Sequence, residues 1–139
     1  MDEVLTLHFD GGSRGNPGPS AAGCVVTSAD GTELAKFGRW LGTMTNNQAE
    51  YRGLIAVLEK ARELGAKQVL VIGDSELVIK QMKGQYKVRN AKLKPLWQAA
   101  SDLAASFDRV QFDHSLREGN ATADRMANLA MDRRSDVEE

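Results

Sequence analysis

The 139-residue chain, 42% hydrophobic, is long enough to bury one sizeable core and too short for two ordinary domains. No stretch reaches the ~18 consecutive apolar residues of a membrane span, and Met1-Asp2-Glu3 lacks the basic-then-apolar pattern of a secretory signal, so a cytoplasmic protein with no membrane partner is expected. Eighteen Lys and Arg against nineteen Asp and Glu leave a net charge of -1, which offers no bulk attraction to a polyanion, and the single cysteine, Cys24, excludes an internal disulfide and reads as a small buried hydrophobe.

Leu5, Leu7 and Phe9 alternate with Thr6, His8 and Asp10, the period-two signature of a strand that ends on a carboxylate, with His8 in a structural role. The loop from Gly11 to Pro19 is dense in turn-forming residues and leads into Ala22–Thr27 as a second, antiparallel strand. Ser28-Ala29-Asp30-Gly31 predicts a hairpin turn, and Thr32 to Leu41 the third strand of a meander. From Asn47 to Leu64, Glu50, Leu54, Val57, Ala61 and Leu64 recur at helical offsets, with Gly65 as the stop. Val69-Leu70-Val71-Ile72-Gly73 is the continuous apolar run of a strand covered on both faces, and Asp74 follows it. Ser75–Met82 and Leu93–Ser106 read as helices, Val110–Ser115 as a final strand and Asn120–Met131 as a last helix. The elements are therefore expected in the α/β order β-β-β-α-β-α-α-β-α over residues 1–132. Residues 133–139, charged and almost without apolar side chains, are expected to be a disordered tail or the start of a linker.

Asp10 and Asp74 are both predicted at the carboxyl ends of strands, where open α/β sheets bind ligands. Glu50 lies on the buried stripe of its helix, and Asp124 shares a helix face with Ala127 and Met131, against the usual exclusion of charge from such faces. Singly, each aspartate has a plain structural alternative: a turn residue at Asp10, a helix cap at Asp74, an ion pair with Arg125 or Arg117 at Asp124. Jointly, four carboxylates around one cleft would repel one another unless cations neutralise them, and hard divalent ions with oxygen ligands are the natural remedy.

Four ordered motifs resemble those of the type 1 ribonuclease H family, and the likeness runs from Leu5 to Met131. They are Asp10-Gly11-Gly12-Ser13-Arg14-Gly15-Asn16-Pro17-Gly18-Pro19, Thr45-Asn46-Asn47-Gln48-Ala49-Glu50-Tyr51, Asp74-Ser75 and Asn120-Ala121-Thr122-Ala123-Asp124. The resemblance implies an enzyme that hydrolyses the RNA strand of an RNA–DNA hybrid and leaves 5′-phosphate and 3′-hydroxyl ends. It also implies an α/β fold with a five-stranded mixed sheet flanked by helices, and Asp10, Glu50, Asp74 and Asp124 as catalytic ligands of two Mg²⁺ or Mn²⁺ ions. By the same likeness Asn16, Asn46 and Asn47 enter the hybrid's minor groove, Thr43 and Thr45 grip a DNA phosphate, and Tyr86 packs on a deoxyribose. Strand propensity alone accounts for the two threonines equally well.

Between Leu77 and Ser101 there is no Asp or Glu, while Lys80, Lys83, Lys87, Arg89, Lys92 and Lys94 fall in that window. In the family this region contacts nucleic-acid backbone, so Lys80, Lys83, Lys87 and Arg89 are expected to bind phosphates. Some members insert a longer basic protrusion here, which this chain lacks. Many members also carry a histidine on a loop before the last aspartate. Gap-free counting puts His114 at that position, but its neighbourhood, Val110-Gln111-Phe112-Asp113-His114, marks the end of a strand. The loop is then short, Leu116 to Gly119, as in the family's compact branch, with Arg117 best placed for an auxiliary catalytic role. Two rivals are a module that binds hybrids without cutting them and another nuclease of the fold such as a junction resolvase; the full acid set disfavours the first and the asparagines the second. A monomer is expected, and a fused C-terminal domain in a longer parent chain is compatible with the charged end.

Overall fold

A computed structural model describes residues 2–139, the side chains of residues 117 and 118 excepted. In chain order the elements are β1 (Val4–Ser13), β2 (Gly18–Thr27), β3 (Glu33–Met44), α1 (Asn46–Glu63), β4 (Gln68–Gly73), α2 (Glu76–Met82), α3 (Lys94–Ala105), β5 (Arg109–His114), a 3₁₀ turn (Arg117–Asn120), α4 (Ala121–Arg133) and β6 (Val137–Glu138). The strands form one sheet in the spatial order β5-β4-β1-β2-β3-β6. β1 pairs antiparallel with β2 and parallel with β4, and β5 extends the parallel half. Among the described residues, no helix is long and apolar enough to cross a membrane.

The period-two reading of β1 holds: Leu5, Leu7 and Phe9 are fully buried, while Thr6 and His8 are half-buried. Asp10, however, does not end the strand. Parallel pairing with β4 stops at Phe9 opposite Gly73, but antiparallel pairing with β2 continues to Ser13 opposite Ser20. Asp10 and Asp74 thus each follow the last residue of the parallel ladder, at the edge where open sheets place their ligands. The third strand also outruns its expected end at Leu41 and reaches Met44, which delivers Thr45 as the cap of α1.

One face of the sheet is covered by α1, with α3 beside it, over a core that includes Leu7, Phe9, Val26, Tyr51, Leu54 and Val57. The other is crossed by α4, whose Met126, Ala130 and Met131 pack with Ala21 and Val137. Glycines set how near each helix comes. A Cβ on Gly11 would lie 2.2 Å from the carbonyl oxygen of Ala49 in α1, and one on Gly23, opposite Asp10 in the ladder, 1.8 Å from that of Ala123 in α4. Both approaches require the absence of a side chain, and each brings a carboxylate-bearing helix against β1 or its partner.

The expectation of a disordered tail is corrected. α4 runs to Arg133, and Val137–Glu138 adds a sixth strand to the β3 edge, with Val137 8% exposed. Arg125 holds Glu139 through two bonds of 2.7 and 2.9 Å, and Asp136 Oδ1 accepts from the Trp40 amide at 2.8 Å. One apolar residue with backbone pairing and flanking ion pairs is enough to dock so short a segment, so its low hydrophobicity misleads.

Candidate active site

Three of the four acids converge closely. Ligand oxygens of Asp10, Glu50 and Asp74 lie within 4.8 Å of one another, and Asp124 lines the same cleft. Each comes from a different element: β1, α1, the residue after β4, and the first turn of α4. Thr45 starts α1 with a reciprocal cap, in which its amide donates to Gln48 Oε1 at 2.9 Å and its hydroxyl accepts from the Gln48 amide at 3.3 Å. Ser75, not Asp74, caps α2, accepting from Val78 N–H at 3.3 Å, and Arg125 is occupied by Glu139 rather than Asp124. The structural alternatives for Asp74 and for an Asp124–Arg125 pair are therefore not realised.

Glu50 is 3% exposed and Asp10 7%. Glu50 Oε1 accepts from the Gly11 amide at 2.7 Å, whereas its Oε2 is buried with no partner among the described residues. Burial, followed by the nearby Asp74 carboxylate, pushes the Asp10 carboxyl up to about 7. Burial and then Asp10 and Asp74 likewise hold Glu50 well above the usual carboxylate range. Such a set of crowded oxygens with an orphaned buried acceptor fits a hard divalent cation, which would satisfy the acceptor and remove the repulsion. The surrounding cleft, about 700 Å³, is also lined by Arg14, Asn46, His114 and Asn128.

The amide-bearing residues meet at the cleft's flank. Asn46 N–H donates to Asn16 Oδ1 at 3.0 Å, and Asn46 Oδ1 accepts from the Ser13 amide at 3.3 Å, which ties the β1–β2 loop to the start of α1. Asn16, Thr45 and Asn47 line an adjoining groove together with Asn90 and Lys92. Thr43 is exposed on β3, outside that groove. Tyr86, Lys87 and Arg89 line a second groove with Lys94 and Trp97, while Lys83 is exposed and outside it. Lys80 is already engaged: its Nζ lies 2.5 Å from Glu76 Oε1 and 5.0 Å from the centre of the Tyr86 ring.

A family model described as reverse transcriptase-like matches residues 8–130. A ribonuclease H of Verminephrobacter eiseniae is 33% identical over 148 residues, spanning 95% of this chain and 92% of that protein. The chain belongs to the ribonuclease H family. A bifunctional protein of Mycobacterium tuberculosis is 48% identical over 129 residues, 92% of this chain but 35% of that protein, so the chain spans about a third of that relative's length. The solved N-terminal RNase H domain of that protein superposes with a TM-score of 0.92 at 47% identity, covering 95% of this chain and 96% of the solved one. LC11-RNase H1, solved in complex with an RNA/DNA hybrid, matches with a TM-score of 0.88 at 38% identity over 94% of this chain and 98% of its own.

Within this ribonuclease H fold, Asn90 is a lining residue that the sequence does not single out; with Lys92 of the basic window it sits beside Asn16 and Asn47 only through tertiary packing. The sequence reading also gives no role to Arg14 and Asn128. His114 ends β5 as expected, yet it faces the cleft, its Nε2–H donating to the Asp74 carbonyl oxygen at 3.2 Å. The side chain of Arg117, expected to be auxiliary, lies outside the described residues.

Proposed function

We propose that the chain hydrolyses the RNA strand of RNA–DNA hybrids as a metal-dependent endonuclease, leaving 5′-phosphate and 3′-hydroxyl ends. The observation that carries this reading is the convergence of Asp10, Glu50 and Asp74 within 4.8 Å, with Asp124 in the same cleft. In this proposal the four acids hold two Mg²⁺ or Mn²⁺ ions. When bound, those ions supply Lewis-acid activation of water and charge stabilisation of the leaving oxygen. The protein's own share is positional: Gly11 orients Glu50, and Asn120 Nδ2 fastens the start of α4 to the Phe9 carbonyl oxygen at 2.7 Å.

Substrate choice follows from the flanking amides. Asn16, Asn46, Asn47 and Asn90 supply short donors and acceptors suited to 2′-hydroxyls and backbone oxygens, which select hybrid over DNA duplex without reading sequence. Thr43, Thr45 and Lys92 serve the DNA phosphates, and Tyr86, Lys83, Lys87 and Arg89 the duplex beyond, with Lys80 contributing once released from Glu76. Arg117 takes the auxiliary role. The domain acts in the cytoplasm as a monomeric unit, alone or fused to another domain.

Asp10→Asn and Asp74→Asn test the mechanism. Each should abolish hybrid cleavage while leaving circular dichroism and the unfolding transition cooperative. Retained activity in both variants overturns it.

A further inference from the structure

We infer that Arg14 grips a phosphate of the RNA strand at the mouth of the cleft; the assignment of the strand rests on the function proposed above. Four carboxylates line this cavity, and among its described side chains Arg14 brings the guanidinium. A polyanion entering an acid-lined cleft needs a cation at the point of entry, and a guanidinium's fork of N–H donors matches two phosphate oxygens.

The geometry leaves that fork available. Arg14 Nη2 lies 2.7 Å from Asp132 Oδ1, and donates to Asn128 Oδ1 at 3.4 Å and to the Asn128 carbonyl oxygen at 3.5 Å. All three contacts use one nitrogen, so Nε and Nη1 have no partner among the described residues. The arm is nonetheless fixed at both ends. Arg14 N–H donates to the Pro19 carbonyl oxygen at 2.8 Å, which closes the loop beneath it, and Asn128 Nδ2 donates to the Asp124 carbonyl oxygen at 3.0 Å, which orients the amide facing Arg14. The guanidinium thus sits one helical turn along α4 from Asp124, held at the rim with two nitrogens open. As a structural element the bridge is weak: the side chains of Arg14 and Asp132 are 47% and 61% exposed, and solvent screens such pairs.

Equilibrium binding of a fluorescent RNA–DNA hybrid to the full chain, in chelator so that the hybrid stays intact, separates a phosphate grip from a mere clasp between loop and helix. Wild type, Arg14→Ala and Asp132→Ala are titrated across a range of NaCl. Arg14→Ala is expected to weaken binding about ten-fold and to reduce the slope of log affinity against log salt by about one contact, while Asp132→Ala keeps the wild-type slope. An Arg14→Ala slope equal to wild type, or an equal loss in Asp132→Ala, overturns the inference. Whether the wild type cuts hybrid in Mg²⁺ is a separate measurement, and its failure would strike the proposed function while leaving these slopes to decide the role of Arg14.

Discussion

The amide of Gly11 and the carboxyl of Glu50 are joined by a 2.7 Å bond that fixes one oxygen of the glutamate and leaves the other buried without a partner. Glu50→Gln keeps an acceptor for Gly11 and removes one charge from the crowded acids. In chelator its melting temperature should equal or exceed that of the wild type, because a buried, repelled carboxylate is gone. The rise in melting temperature on adding Mg²⁺ or Mn²⁺ should shrink, and cleavage should fall by about 100-fold or more. An undiminished metal-induced rise would show that Glu50 holds no metal.

The Asp10 carboxyl, raised from 3.8 to about 7, links stability to pH in a definite direction. Folded chain binds this proton more tightly than unfolded chain, so its contribution is fully present below the unfolded value and is lost as pH rises through the folded one. Glu50 acts in the same sense. Metal-free protein should therefore lose stability between about pH 4 and pH 7, at up to roughly 1.4 kcal/mol per pH unit for each such group. Divalent metal should reverse the trend, stabilising more at pH 8 than at pH 5. Melting curves in chelator and in Mg²⁺ across this range check both, and a metal-free melting temperature that climbs steadily from pH 4 to 7 contradicts the account.

Gly23 is one of the points of close approach between α4 and the sheet. A Cβ there would stand 1.8 Å from the Ala123 carbonyl oxygen, so Gly23→Ala should cost about 3 kcal/mol and displace Asp124, lowering cleavage with stability. Gly12→Ala is the control for stability, since its Cβ would meet nothing nearer than Asn46 Oδ1 at 3.9 Å, and urea midpoints should stay within about 0.5 kcal/mol of wild type. Equal losses in the two variants would mean that the contact with α4 is not what Gly23 secures.

Most of the site was legible because chemistry ran against pattern. A glutamate on an apolar stripe and aspartates that follow apolar strand patterns, Leu5-Leu7-Phe9 before Asp10 and Val69–Ile72 before Asp74, announce themselves in one dimension. The sixth strand was not legible, since Val137 is a lone apolar residue whose docking depends on the β3 edge and on Arg125 meeting Glu139. Asn90 is hidden because its neighbours in the groove, Asn16 and Asn47, are more than 40 positions away in sequence. The basic window overstated its free charge at Lys80, because Glu76, one residue outside the acid-free stretch, reaches back over a helical turn. Thr45 could be read as a phosphate contact or as strand propensity, and the structure gives it a further task, capping α1.

The short segment before α4 yields its own test. Arg117→Ala should lower turnover more than His114→Ala, whose ring is committed to the Asp74 carbonyl oxygen at 3.2 Å. Single-turnover rates in Mg²⁺ measure both, and the reverse order would give the auxiliary role to His114.

The most direct test of the central claim is cleavage of an end-labelled RNA–DNA hybrid beside matched double-stranded RNA and double-stranded DNA, in Mg²⁺, in Mn²⁺ and in chelator. Metal-dependent cutting of the hybrid's RNA strand, with both strands of the DNA duplex intact, is the predicted result. Hybrid binding with no cleavage under either metal would contradict it and leave a binding module built on a nuclease fold.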